Sequence, residues 1–323
     1  MVADLVLPNL VILGPPKCGT SSLFGWLTSH PQICGSHRKE TFYLIDPDNP
    51  LRGESHFNNE GWEGYARQFP DEARDCPVRI EATTHYLYQR TALEILSEIK
   101  DLHVCVILRD PAARVWSSFN FTQNTLARLP AWLTFNQYLD LVFDEQPLYP
   151  RYCVSEKSAY VLERDLQYGE YARYLRPWID RLGADRVHCV LFEDLKDRPR
   201  DVVKRLTAPF DVNAAYFDRH EFTARNETYS VKQQRLHRVA RRANELLQVD
   251  SRIKAALKRV YFGLQRGSSN GGARAPREQT LERLRVHFEL YNQELEDLLS
   301  VDLRGWMPRG GGKVHNKLFH FGI

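Results

Sequence analysis

Apolar residues in this chain bunch into short, nearly unbroken runs, over residues 9–13, 78–82, 103–108 and 186–192, with Leu10-Val11-Ile12-Leu13 the clearest. Runs of that length without alternation predict strands buried on both faces, as in a parallel sheet. Apolar positions at helical spacing follow most of them, over residues 20–29, 91–100, 113–121 and 200–206. The alternation predicts an α/β fold, a central and mostly parallel sheet flanked by helices, with ligands at the carboxyl ends of the strands.

Residues 120–178 break this rhythm with aromatic side chains, among them Trp132, Phe135, Tyr138, Tyr160, Tyr168, Tyr174 and Trp178. Two roles stand open for them: packing helices onto the sheet, or walling a substrate cleft. Further on, Leu236, Val239, Ala243, Leu246 and Leu247 mark a helical stripe within 231–265, and a Gly/Ser/Asn loop follows at 267–272. A second strong amphipathic helix is predicted over 278–299, with Leu284, Phe288, Tyr291 and Leu295 on its apolar side. No internal repeat is present. The pattern reads as one domain over residues 1–307 and a glycine-rich tail over 308–323.

Composition narrows the class. With 323 residues, 43% of them hydrophobic, and a formal net charge of +3, the chain reads as an ordinary globular protein. No apolar run approaches the roughly 18 residues of a membrane span, and residues 5–13 do not resemble a signal peptide, so no integral membrane segment is expected. The six cysteines (18, 34, 76, 105, 153, 189) include no Cys-x-x-Cys pair, which predicts buried free thiols at Cys105 and Cys189. Neither a disulfide framework nor a zinc site is expected, and a reducing cytoplasm fits this usage. Twelve Lys/Arg between 232 and 277 face only Glu245 and Asp250. Without a recognisable binding module this basic stretch does not predict a nucleic-acid partner; solvated helix faces explain most of it.

The chemistry concentrates at Gly14-Pro15-Pro16-Lys17-Cys18-Gly19-Thr20-Ser21-Ser22, between the first strand and the first helix. Such a turn aims free backbone N–H groups and the positive end of a helix at one point, and so binds an anion, usually phosphate. Gly14 and Gly19 have Walker A spacing, yet Thr20 stands where a triphosphatase places lysine, and the loop's lysine is Lys17. The loop is therefore built for a phosphate but not for a magnesium-bound triphosphate. A second anion element follows the strand 103–108: Arg109 at the strand end, Pro111 in the first turn of a helix, and Ser117 nearly two turns along.

Together these two elements, Gly-Pro-Pro-Lys-Cys-Gly-Thr-Ser-Ser-Leu and Ile-Leu-Arg-Asp-Pro-Ala-Ala-Arg-Val-Trp-Ser-Ser-Phe, resemble the binding motifs of sulfotransferases that use 3′-phosphoadenosine-5′-phosphosulfate (PAPS). The likeness extends to heparan sulfate O- and N-sulfotransferases and their soluble bacterial counterparts. Lys39-Glu40-Thr41-Phe42-Tyr43, Tyr168-Gly169-Glu170-Tyr171 and Val190-Leu191-Phe192-Glu193-Asp194 extend the likeness, which runs over about residues 9–307. The resemblance implies a P-loop-containing nucleotide-binding fold and sulfuryl transfer to a hydroxyl of a carbohydrate or small molecule, without a metal, leaving adenosine 3′,5′-bisphosphate (PAP). It assigns Lys17, Gly19, Thr20, Ser21 and Ser22, with the Cys18 amide, to the 5′-phosphosulfate. Arg109 and Ser117 fall to the 3′-phosphate, and Arg274 to a loop closing over it.

For the acceptor proton, the resemblance points to Glu40 as base, with Lys39 tuning the site electrostatically. His85, after the strand 78–82, is the rival base, since imidazole titrates near neutrality. Ala82 departs from the lysine of many heparan-type enzymes, which counts against their polysaccharide acceptor. Glu193 and Asp194 are expected to fix local structure. Other readings open at this point are a nucleotide-dependent small-molecule kinase and a non-catalytic nucleotide-binding protein of the same fold.

Overall fold

The structure, a computed structural model, describes residues 5–224 and 276–309. Among the described residues there are five strands: β1 (Leu10–Gly14), β2 (Ile33–Gly35), β3 (Val78–Glu81), β4 (His103–Leu108) and β5 (Val187–Leu191). They form one sheet in the order β2-β3-β1-β4-β5, with every pairing parallel. Leu10 pairs with Ile80 on one side and with His103 on the other, so β1 lies at the centre. From β1 the chain builds outward first on the β3 side and then on the β4 side. The carboxyl end of β1 is thus the crevice where strand order reverses, the usual ligand position in open α/β sheets.

Side-chain alternation splits the core into two layers, one on each face of the sheet. Val11, Leu13, Val104, Val106 and Leu108 pack beneath Tyr171, Leu175 and Trp178 of α7 (Tyr171–Leu182). Leu10, Ile12, Cys105 and Ile107 pack on the other face, against Leu23 and Leu27 of α1 (Thr20–Leu27) and Val203 and Leu206 of α9 (Pro199–Thr207). Full burial of each such side chain stabilises by about 1.5–3 kcal/mol. A third cluster joins Phe119 of α4 (Pro111–Asn120), Tyr138 and Leu139 of α5 (Phe135–Phe143), Leu162 of α6 (Glu156–Glu163) and Phe288 of α10 (Glu278–Leu299). Most of the predicted aromatic stretch is used in this packing: Tyr138, Tyr171 and Trp178 are fully enclosed, and only Trp132 and Tyr149 among these large rings stand well exposed.

Two expectations are corrected. β2 was not predicted, because Ile33-Cys34-Gly35 is too short to show a period; its pairing with Val78–Ile80 makes it a strand. Cys34 and Cys76 form a disulfide, their Cα atoms 6.0 Å apart, where free cysteines were expected. Parallel pairing of β2 with β3 brings the two together across a sequence separation of 42, which spacing alone does not reveal. Cysteine usage therefore no longer argues for a reducing compartment. Cys105 and Cys189 are free as expected, the second only partly buried. The stripe over 231–265, the loop at 267–272, Arg274 and the tail beyond 309 lie outside the described residues.

Candidate active site

The loop at the end of β1 is shaped by backbone that side chains tolerate poorly. Gly14 has φ +122°, and a Cβ there would lie 2.0 Å from the Thr84 carbonyl oxygen, so the loop rests directly on the turn after β3. Gly19, φ +87°, has the same constraint from the Leu195 and Phe192 side chains. Between them Lys17 takes φ +71°, a left-handed conformation that costs a non-glycine residue about 1–2 kcal/mol. Gly19 is also the N-cap of α1 and offers no side-chain acceptor, which leaves the first helical amides facing the loop. Cys18 and Thr20 are buried beneath it, and burial pushes the Cys18 thiol up to about 11, so that it packs as a small neutral group.

Two cations converge on this loop. Lys17 Nζ sits 3.5 Å from the centre of the Phe121 ring, directly after α4. Burial first, and Arg109 second, lower its pKa to about 8, while Glu40 opposes the shift. Arg109 donates Nη1–H to the Lys17 carbonyl at 2.8 Å, and its guanidinium lies 4.6 Å from the centre of the Phe192 ring. Its own carbonyl accepts from the Tyr171 hydroxyl at 2.9 Å. Asp110 caps α4 by accepting from the Ala112 amide at 2.9 Å, and Pro111 occupies the first turn as predicted. Ser117 is half-buried on the same helix, and no hydrogen bond links it to Arg109 among the described residues.

Glu40 is held from two sides. Lys39 Nζ lies 2.8 Å from Glu40 Oε1 and 3.1 Å from the Ala82 carbonyl; Thr84 Oγ1 reaches Glu40 Oε2 at 3.5 Å. The Lys39 carbonyl accepts from the Ala82 amide at 3.0 Å, which stitches this turn to the end of β3. His85 is buried with Nδ1 unpartnered, and desolvation, Arg114 and Lys39 lower its pKa to about 4. The imidazole is consequently neutral through the physiological range and a weak base.

Sequence reasoning missed Glu81. Its carboxylate is fully buried; Oε1 accepts from Thr41 and Thr83 hydroxyls at 2.6 Å each, and Oε2 from Tyr65 at 2.5 Å. Burial raises its pKa against these bonds. Thr41 is the neighbour of Glu40, so Glu81 anchors the turn that carries the carboxylate. The signal was an acid ending the otherwise strand-like run Val78-Arg79-Ile80. Nearby, Arg114 is buried beside Asp165, Nη1 to Oδ1 at 2.9 Å, with a further bond to the Asp165 carbonyl and Tyr138 completing the carboxylate at 3.0 Å.

A parallel sheet whose central strand runs through a glycine-bounded loop into a helix, with cations clustered at the loop, defines a P-loop-containing α/β protein. The sulfotransferase domain family matches residues 7–215, and the chain belongs to that family. It is 22% identical over 216 residues to the bifunctional heparan sulfate N-deacetylase/N-sulfotransferase 1 of Caenorhabditis briggsae, covering 66% of this chain and 24% of that protein. It is 23% identical over 223 residues to the mouse (Mus musculus) heparan sulfate glucosamine 3-O-sulfotransferase 3A1, covering 66% and 48%. The chain therefore spans half or less of the length of these curated relatives. A crystal structure of a sulfotransferase from Alicyclobacillus acidocaldarius superposes with a TM-score of 0.59 at 22% identity, covering 93% of this chain and 98% of that one, which shows a shared fold. Among the described residues no helix is long and apolar enough to cross a membrane, and no group of three or more His, Cys, Asp and Glu is placed to hold a metal ion.

Proposed function

We propose that the chain transfers a sulfuryl group from PAPS to an acceptor hydroxyl of a carbohydrate or small molecule. The observation that carries this reading is the Arg109–Lys17 bond, which makes the two anion elements one continuous cradle beside Glu40. In the proposed arrangement the loop amides, Lys17 and the Thr20, Ser21 and Ser22 hydroxyls hold the 5′-phosphosulfate, with Cys18 lending its amide. Arg109, with guanidinium N–H groups beyond the one given to the Lys17 carbonyl, and Ser117 take the 3′-phosphate, aided by Arg274.

Transfer then proceeds in line. Glu40 accepts the acceptor hydroxyl proton, the oxygen forms its bond to sulfur, and the bond from sulfur to the bridging phosphate oxygen breaks with its electron pair on PAP. Lys17 meets the charge that gathers on that oxygen, a donor whose loss typically costs about 3 kcal/mol of transition-state stabilisation. A placed base adds about 10²–10⁴-fold. Lys39, itself bonded to the Ala82 carbonyl, pairs with Glu40 Oε1 and restrains it.

The test is a labelled-PAPS assay over sugar, phenol and aliphatic alcohol acceptors in the presence of a chelator. Label transferred to a hydroxyl is the expected result. Magnesium-dependent ATP turnover with no response to PAPS would establish a kinase, and PAP binding without turnover on any acceptor would establish a non-catalytic binding protein.

A further inference from the structure

Phe121 is a large apolar side chain that the core does not use. It is half-buried, and among the described residues it joins none of the three apolar clusters. Its neighbour Phe119 does the packing there, against the rings of Trp116, Phe135 and Tyr138. The Phe121 ring instead meets the lysine of the glycine loop, whose Nζ stands 3.5 Å from its centre. The backbone places it there. Beyond Asn120, α4 passes into a π-helical turn over Phe121–Thr125, in which the Leu126 amide donates to the Phe121 carbonyl at 2.9 Å. Such a turn carries one extra residue and is frequent at functional sites. Gln123 anchors it, Nε2 donating to the Pro130 and Leu133 carbonyls at 2.9 and 2.8 Å. Phe121 follows Ser117 by four residues, so one helix face carries both.

Lys17 is thereby held at both ends, its carbonyl by Arg109 at 2.8 Å and its ammonium by the ring. An aromatic face attracts an ammonium through its quadrupole, most strongly where water is kept away. The charged neighbours supply less. Arg109, from the end of β4, disfavours the charged lysine, as burial does. Glu40 favours it, yet that carboxylate is paired with Lys39 at 2.8 Å. Cys18 on the same loop is a neutral thiol, and Arg114 of α4 is enclosed against Asp165. The ring is thus the group in direct contact that favours the ammonium over the amine.

We propose that Phe121 is a positioning residue for Lys17: its ring holds the ammonium charged and in place at the loop and hands it over to the donor, without touching the reacting atoms itself. The inference rests on the sulfotransfer reading above, but its first readout needs no turnover. Enzyme isotope-labelled at lysine Cε is followed by proton–carbon correlation, with Lys17→Met assigning the resonance. The Lys17 Hε protons should lie upfield in the parent and in Phe121→Tyr, at the ordinary position in Phe121→Leu, and should move downfield when PAP is added. Leucine keeps an apolar cover and removes the π face. The Lys17 titration midpoint should therefore fall by about half to one pH unit in Phe121→Leu and return in Phe121→Tyr. In turnover assays the alkaline limb of kcat/KM should move with it while that of kcat stays, since kcat reports the complex. Calorimetry should find Phe121→Leu binding PAP within about threefold of the parent. An ordinary Hε position in the parent, an unmoved midpoint in Phe121→Leu, a kcat limb that moves too, or a larger loss of PAP affinity overturns the proposal. If the parent shows the upfield shift but PAP neither binds nor moves it, the sulfotransfer reading has failed, and the handover with it.

Discussion

Arg109 donates its guanidinium N–H to the carbonyl of Lys17, so the cation at the end of β4 is bonded to the backbone of the loop that follows β1. One side chain thereby fixes the spacing of two elements that are 92 residues apart in sequence. Tyr171 holds Arg109 from behind, and Phe192 stacks on its face.

Removing that guanidinium should weaken the nucleotide's grip. With charge-assisted bonds worth about 1.5–3 kcal/mol, Arg109→Ala is expected to raise the PAP dissociation constant roughly 10- to 100-fold. Titration calorimetry checks this, and an unchanged constant would remove Arg109 from the site.

Lys17 sets a pH dependence whose two readouts run in opposite directions. Its pKa is lowered to about 8 from an ordinary 10.5, so the free enzyme loses this charge as pH rises through 8. The expected kcat/KM falls above pH 8, since it reports the free enzyme's ionisations. Stability does the reverse: between pH 8 and 10.5 the unfolded chain binds more protons at this lysine, so the Lys17 contribution rises with pH. Lys17→Met should abolish the activity limb and flatten this part of the stability profile, read by pH–rate and denaturant titrations.

Glu40 and His85 are separable by severity. Glu40→Gln is expected to cost about 10²–10⁴ in kcat with PAP binding retained. His85→Ala should be milder, and the parent's pH–rate profile should lack a limb near 6.5, because burial and neighbouring cations hold this imidazole at about 4. Single-turnover assays of both variants decide the assignment, and reversed severities would transfer the base role to His85.

The buried Arg114–Asp165 pair supports α4, and with it Arg109 and Ser117. Asp165→Asn leaves Arg114 enclosed with an uncompensated charge, for a loss of about 3–5 kcal/mol. Urea titration should show the midpoint falling accordingly. The double variant Arg114→Met/Asp165→Leu should be less destabilised than Asp165→Asn alone.

Much of this architecture was legible beforehand because the buried strands are continuous apolar runs: β1, β3, β4 and β5 lie within a residue or two of their predicted bounds, and α10 matches residues 278–299. β2 was not, since three residues carry no period and only the Val78 edge defines it. Lys17 and Arg109 were visible as cations at a glycine loop and a strand end. Their mutual bond was not, since it depends on the left-handed turn at Lys17. Glu81 and the Cys34–Cys76 bond escaped for a related reason: each becomes significant only through partners that the β2–β3 side of the sheet assembles.

The central claim is that two linked pockets grip both phosphates of one adenosine nucleotide, and comparing PAP with AMP by calorimetry in a chelating buffer tests it most directly. The account predicts that PAP binds without a divalent ion and that AMP, lacking the 3′-phosphate, binds at least tenfold more weakly, with the difference lost in Arg109→Ala. Equal affinity for the two nucleotides, or PAP binding that requires magnesium, would contradict it.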